Sequence, residues 1–209
     1  MAEQQQSQRT GRHQVSGNWR RGLALSVVTL LSWSTLPVAL KIALVELDPF
    51  TLTWFRFLVA LLIGGAWVIA HGRTREFYRL GLRGWWLLGF AALMLTGNYV
   101  TYLLGLEKMT PGNAQIILQL AALLMALGGM LLFGERYSPL QWAGFVTLIT
   151  GLLLFFNDQL GQAVGQQLTY RTGVVFAVVA SFLWAAYALA QKQLLRDIGS
   201  ATVMAFIYL

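Results

Sequence analysis

The sequence predicts an all-α fold, a polytopic transmembrane helix bundle, from its composition, the length of its apolar runs and an internal repeat. Hydrophobic residues make up 57% of the chain and charged residues 11%, and the mean hydropathy is +0.61. A soluble domain carries about a quarter charged residues. Several apolar runs reach the roughly 20 residues that cross a hydrocarbon core as a helix. Lipid is therefore the expected surroundings of most of the chain.

Breaks in hydrophobicity predict seven helices. They lie near residues 22–45, 50–70, 85–105, 111–133, 140–157 and 173–194, and the seventh begins near residue 200. Three starts carry a capping residue followed by proline, which fits the first turn of a helix; they are Asp48-Pro49, Thr110-Pro111 and Ser138-Pro139. Residues 1–21 are polar, and the first apolar run is longer than a signal-peptide core. We expect a polar tail and a retained first helix.

The basic residues predict the orientation, because lysine and arginine in short loops favour the cytoplasmic side. With the N-terminus in the cytoplasm, the inner set is Arg9, Arg12, Arg20, Arg21, Arg73, Arg75, Arg79, Arg83, Arg136, Lys192 and Arg196, and the outer set is Lys41, Lys108 and Arg171. This distribution predicts a protein of the cell inner (plasma) membrane with a cytoplasmic N-terminus. It also explains the net charge of +7 without a nucleic-acid partner.

An internal repeat appears when the sequence is shifted by 151 residues, which aligns residues 22–58 with 173–209 without gaps and gives ten identities. The pairs Trp33/Trp184 and Lys41/Lys192 are the most informative, because neither residue type is common inside a span. One repeat length holds five predicted helices, an odd number, so the second unit must cross the membrane in the opposite direction. Inverted repeats of this kind are typical of secondary transporters.

The repeat divides the sequence into a tail (1–21), a first unit (22–157), an external linker (158–172) and the start of a second unit (173–209). Two complete units would need roughly 300 residues. We therefore expect a fragment whose second repeat is incomplete.

Three segments carry a family resemblance: WSTLPVALK from Trp33, DPFTLTWFR from Asp48 and GERYSPLQWAGFVTLITGLLLF from Gly134. They resemble the EamA-type branch of the drug/metabolite transporter superfamily. The resemblance implies two five-helix EamA repeats, a central cavity, and export or exchange of a small metabolite such as an amino acid. The second repeat departs from the first, because Ile207 stands where the first repeat has Arg56.

These observations predict a secondary transporter that works by alternating access, with a small-molecule solute and membrane lipid as partners and a homodimer left open. Helix 1 has no acid before Glu46, whereas the smaller four-helix relatives use a glutamate there, so a facilitator or exchanger fits better than a proton-coupled cation exporter. The sequence has no cysteine, and His13 and His71 lie outside the apolar runs. We expect no metal and no cofactor.

Charged and aromatic residues of helices 1 and 2 form the first part of the predicted substrate site. Arg56 lies about two turns into helix 2, where a charge is costly unless it faces a cavity or a partner. The alternative is a structural arginine paired with Glu46, Asp48 or helix-end carbonyls near the outer surface. Lys41 shares a helix face with Trp33 and could add positive potential for a carboxylate, or it could extend to the outer headgroups. Trp33 could stack on the solute or pack in the core.

Polar residues of helices 3 and 4 form the second part. Gln115 and Gln119 lie one turn apart on a stripe that must face protein or water, either as a cavity wall or as interhelical hydrogen bonds. Asn98 and Tyr102 make a similar pair on helix 3, although tyrosines near a span end are often interfacial.

Two other classes of protein stay open. A membrane-embedded enzyme acting on a lipid-linked substrate would need clustered acids, histidines or a metal site, whereas Glu107, Glu135 and Asp158 are scattered. A non-transporting assembly subunit would have little need of the glutamine stripe.

Overall fold

A computed structural model describes residues 19–74, 80–163 and 168–208. The predicted tail as far as residue 18, with Arg9, Arg12 and His13, lies outside the described residues, as do Arg75, Arg79 and residues 164–167 of the predicted linker. The described part of the chain contains eight α helices and no strand. They are α1 (Trp19–Ala43), α2 (Pro49–Ala70), α3 (Leu82–Glu107), α4 (Pro111–Leu118), α5 (Leu120–Phe133), α6 (Pro139–Ala163), α7 (Leu168–Leu194) and α8 (Ser200–Ile207).

Five segments are long and apolar enough to cross a membrane. They are Gly22–Ala43, Pro49–Ala70, Leu82–Glu107, Pro111–Phe133, which includes both α4 and α5, and Leu168–Leu194. The apolar part of α6, Pro139–Phe155, is shorter. The prediction of an all-α polytopic membrane bundle is confirmed.

The three helix starts marked by proline are confirmed. The Asp48 carboxylate accepts hydrogen bonds from the main-chain N–H groups of Phe50 and Thr51 at 2.9 and 3.0 Å. The hydrogen bond from the Thr51 hydroxyl, followed by these main-chain bonds, lowers the pKa of Asp48 below its ordinary value. Thr110 caps α4 in the same way, and the side chain of Gln141 accepts from the N–H of Ser138 at 2.7 Å. Each cap satisfies a main-chain donor that a helix start leaves open.

The single helix predicted over residues 111–133 is interrupted at Gln119. The N–H of Gln119 donates to the Ile116 carbonyl at 3.1 Å, and the N–H of Ala122 donates to the Gln119 carbonyl at 3.0 Å. These three-residue steps form a tighter turn than an α helix does. Hydrophobicity does not mark this change, because apolar residues continue on both sides of Gln119. Helices α6 and α7 also extend into the predicted linker, since hydropathy marks the edge of an apolar segment and not the end of a helix.

The described helices belong to two compact units, one up to Leu36 and the other from Pro37 onward. In the second unit the most extensive packing joins α3 to α7. A Cβ placed on Gly105 of α3 would lie 3.0 Å from the carbonyl oxygen of Gly173 and 3.2 Å from the nitrogen of Ala177. Only small residues allow two helix backbones to approach this closely. This crossing of α3 and α7 is the centre of the second unit.

Candidate solute site

Arg56 lies in the membrane-spanning part of α2, seven residues beyond Pro49 and therefore about 10 Å from the start of the helix. Its Cζ atom lies 4.5 Å from the centroid of the Tyr99 ring on α3. Its Nη1 atom is buried and has no hydrogen-bond partner in the described part of the chain. Asp48, one of the proposed partners, is engaged as the cap of α2. An unpaired buried guanidinium nitrogen is costly, so the position favours an anionic ligand.

Aromatic rings surround this guanidinium. Phe57 packs edge-to-face on Tyr99 and on Tyr208, with ring centroids 5.3 and 5.1 Å apart. The 151-residue shift pairs Phe57 with Tyr208, so two equivalent residues of the repeat touch each other. Equivalent residues meet in this way near a two-fold axis, and inverted-repeat transporters have their sites at the interface of the two repeats.

A cavity of about 300 Å³ lies beside Arg56, a volume at the lower end of the range for small-molecule sites. Its walls are Phe55, Arg56, Phe57, Val59, Ala60, Tyr99 and Tyr208. Ala60 lies one helical turn after Arg56, on the same face of α2. The cavity combines one cation with aromatic and apolar walls. It can hold a carboxylate at the guanidinium and a small apolar group against the rings.

Asn98, Tyr102 and Gln115 make contacts between helices. The Asn98 side chain is buried and donates to the Ala180 carbonyl of α7 at 2.8 Å. The Tyr102 hydroxyl donates to Oε1 of Gln115 at 3.3 Å, which joins α3 to α4. The bond of Gln115 is of the interhelical kind that is the alternative for the glutamine stripe. The substrate role of the three residues stays a prediction.

The side chain of Lys41 contacts the end of α3. Its Nζ donates to the main-chain carbonyls of Leu106 and Glu107, both at 2.7 Å. These carbonyls end α3, where a helix has open acceptors and a negative dipole end. The Gln119 side chain is exposed, and Trp33 lies in the first unit. Substrate roles for these three residues also stay predictions.

Tyr99, Phe57 and Tyr208 are the site residues that the sequence reasoning does not select. Tyr99 stands next to Asn98, and a helical wheel alone does not show which of the two faces α2. Tyr208 could have been found from the repeat, because it is the equivalent of Phe57, the neighbour of Arg56. In the described residues, no three His, Asp or Glu side chains come close enough to bind a metal ion together.

Comparisons with known proteins agree with this description. Residues 20–157 match the model of the EamA-like transporter family. An "Uncharacterized transporter" of Haemophilus influenzae is 31% identical over 188 residues, which cover 90% of this chain and 61% of that protein. The "Uncharacterized inner membrane transporter YhbE" of Escherichia coli K12 is 31% identical over 189 residues, covering 90% and 59%. The chain thus spans about three fifths of the length of these relatives. No solved structure matches it.

Proposed function

This chain belongs to the EamA-like transporter family, and we propose that it forms part of a secondary transporter that exports or exchanges a small carboxylate-bearing metabolite, such as an amino acid. The chain is a multi-pass inner-membrane protein, as its apolar helices and its inner-membrane relatives indicate. The N-terminus is cytoplasmic in this proposal, because eleven of the fourteen basic residues other than Arg56 then lie at the inner side.

The proposal depends on the buried, unpartnered Nη1 of Arg56 at the wall of the cavity between α2, α3 and Tyr208. A solute carboxylate would supply the missing acceptor, and charge-assisted bonds of this kind are the strong ones. The contact between the equivalent residues Phe57 and Tyr208 supports a position at the repeat interface. Alternating access would then expose the cavity in turn to each side by moving one repeat against the other.

The test is efflux from cells that express the complete reading frame and are loaded with labelled amino acids and their amides. Arg56→Ala is expected to lower carboxylate efflux by about tenfold to a hundredfold, because a charged hydrogen bond contributes roughly 1.5–3 kcal/mol. Amides that the wild type exports should be much less affected. Arg136→Ala removes an exposed guanidinium from the loop after α5 and serves as the matched control, for which normal efflux is expected.

Two outcomes would contradict the proposal. If the wild type exports none of the tested carboxylates, the solute class is wrong. If Arg56→Ala, at normal membrane abundance, exports carboxylates as well as Arg136→Ala does, Arg56 does not bind the solute. Gln119→Ala tests the predicted glutamine wall separately, since its side chain is exposed in the present structure.

A further inference from the structure

A second cavity lies where α3 begins and α7 ends, away from Arg56. It has a volume of about 540 Å³, and its polar side chains are Arg83, Gln193, Arg196 and Asp197. Both arginines are exposed, and within the described part of the chain neither lies within ion-pair distance of a carboxylate. The two guanidinium groups and one carboxylate leave a net charge of +1 at this cavity.

This cavity continues into an apolar groove along α3. A neighbouring cavity of about 370 Å³ shares Arg83 and Gln193 with it and adds Trp86 and Phe90. A third, of about 520 Å³, shares Trp86 and Phe90 and extends to Leu93. From Arg83 to Leu93 the groove runs for about 15 Å along the helix. It is cationic at one end and apolar at the other, as a phospholipid requires for its headgroup and acyl chain.

Arg196, two residues after the end of α7, packs against an aromatic ring. The Cζ of Arg196 lies 5.5 Å from the centroid of the Phe133 ring, and Nζ of Lys192 lies 5.1 Å from the same centroid. Lys192 is engaged with Glu135. Among the described residues no carboxylate pairs with the guanidinium of Arg196, so its donors can bind another acceptor. Planar guanidinium groups match phosphate oxygens in geometry and charge.

We propose that Arg83 and Arg196 bind the phosphate of an anionic phospholipid of the phosphatidylglycerol type, whose acyl chain lies along Trp86, Phe90 and Leu93. The single negative charge of this phosphodiester balances the net charge of the cavity. Asp197 accepts a hydrogen bond from a glycerol hydroxyl of the headgroup. Basic cavities between membrane helices at the cytoplasmic side bind anionic lipid headgroups in this manner.

Tryptophan quenching by brominated lipid tests the proposal in phosphatidylcholine vesicles that contain the complete protein. A minor fraction of brominated-acyl phosphatidylglycerol is expected to quench more fluorescence than the same fraction of brominated phosphatidylcholine. The excess quenching should fall in Trp86→Phe and disappear when Trp85 is also replaced by phenylalanine, because both tryptophans line the groove. Arg83→Gln and Arg196→Gln should each weaken the preference for phosphatidylglycerol about fivefold, the equivalent of roughly 1 kcal/mol for each basic residue at a membrane surface.

Arg136→Gln is the matched control, because it removes an arginine outside the groove. In this variant brominated phosphatidylglycerol should keep its full excess of quenching over brominated phosphatidylcholine. Excess quenching that is unchanged in both groove arginine variants would overturn the proposal. Excess quenching that persists when both Trp85 and Trp86 are replaced by phenylalanine would overturn it as well. Brominated phosphatidylethanolamine in an equal fraction should quench no more fluorescence than brominated phosphatidylcholine does. If it quenches as much as brominated phosphatidylglycerol, the site does not select lipids by their net charge. Competition by inorganic phosphate would show a site for free anions instead of lipid. Efflux plays no part in this measurement, so its result is independent of the proposed solute.

Discussion

Different kinds of contact lie beside the two ends of α7, although the sequence repeat relates the lysines involved. At the N-terminal end Gly173 meets Gly105 at backbone distance, and Lys41 donates to two main-chain carbonyls at the end of α3. At the C-terminal end Lys192 pairs with Glu135, and the two side chains are 47% and 35% exposed. Lys41 and Lys192 are equivalent in the 151-residue repeat.

The difference shows which end can open at lower cost. Main-chain carbonyls and touching backbones move only if a whole helix moves, whereas an exposed side-chain pair can separate by rotation about single bonds. Exposed ion pairs also contribute little to stability. If the transporter changes its access by moving repeats, we expect the movement to begin at the end of α7 near Lys192. The following predictions test this contrast.

The largest effect is expected at the crossing of α3 and α7. In Gly105→Ala the new methyl group would meet the Gly173 carbonyl and the Ala177 nitrogen, which are backbone atoms and cannot move aside alone. We expect a loss of about 1–3 kcal/mol, as for other overpacked cores. Thermal or denaturant unfolding in detergent measures it.

Gly89→Ala is the matched control on the same helix, because a Cβ there has nothing within 4 Å. This substitution should raise stability by up to about 1 kcal/mol, since alanine favours a helix more than glycine does. Equal behaviour of the two variants would show that the close approach at Gly105 does not constrain the helices.

The next effect is expected for Lys41→Met, which leaves the carbonyls of Leu106 and Glu107 without their donor. Leu106 is buried, so water replaces the lost contacts incompletely. We expect a loss of about 1–2 kcal/mol in the same unfolding measurement. Lys108→Met, next to these carbonyls, should have a smaller effect, and Lys41→Arg should recover part of the loss. An equal loss for Lys108→Met would mean that charge alone, and not the hydrogen bonds, stabilises this end.

Hydrophobicity and capping patterns predict most of this fold because each depends on local sequence. Runs of apolar residues fix the spans, and Asp48-Pro49, Thr110-Pro111 and Ser138-Pro139 fix three helix starts to within a residue or two. The turn at Gln119 is not predictable in this way, because its residues are ordinary helix formers in an apolar segment.

The candidate site is predictable only in part, since it depends on which helices meet. The cost of a buried charge singles out Arg56 from the sequence alone. The partners of Asn98 and Lys41 are main-chain carbonyls of other helices, 82 and 65 residues away in the chain. A side-chain pattern carries no signal for such acceptors. Tyr208 is an exception, because the repeat already related it to Phe57.

The smallest effect is expected on acidification, and it distinguishes the two ends of α7 by chemistry. The hydrogen bond from Lys192 lowers the pKa of Glu135, and the hydroxyl of Tyr137 also donates to this carboxylate, at 3.2 Å. A carboxylate whose pKa is lower in the folded state stabilises the fold above its unfolded pKa, about 4.3 for glutamate. This contribution is lost as the pH falls through the lower, folded pKa. The carbonyls that bind Lys41 do not titrate, so their contribution should stay constant over the same range.

The measurement compares wild type with Glu135→Gln from about pH 7 to pH 3, the range in which carboxylates titrate. Asp48 also has a lowered pKa, but it is present in both proteins, so their difference isolates Glu135. The stability advantage of wild type should shrink below about pH 4, while the difference between wild type and Lys41→Met stays unchanged. A parallel loss at both ends would mean that acid loosens α7 as a whole. If the stability advantage of wild type over Glu135→Gln persists at low pH, the negative charge of Glu135 does not contribute to it. Either result would remove the reason to expect that α7 opens first at its Lys192 end.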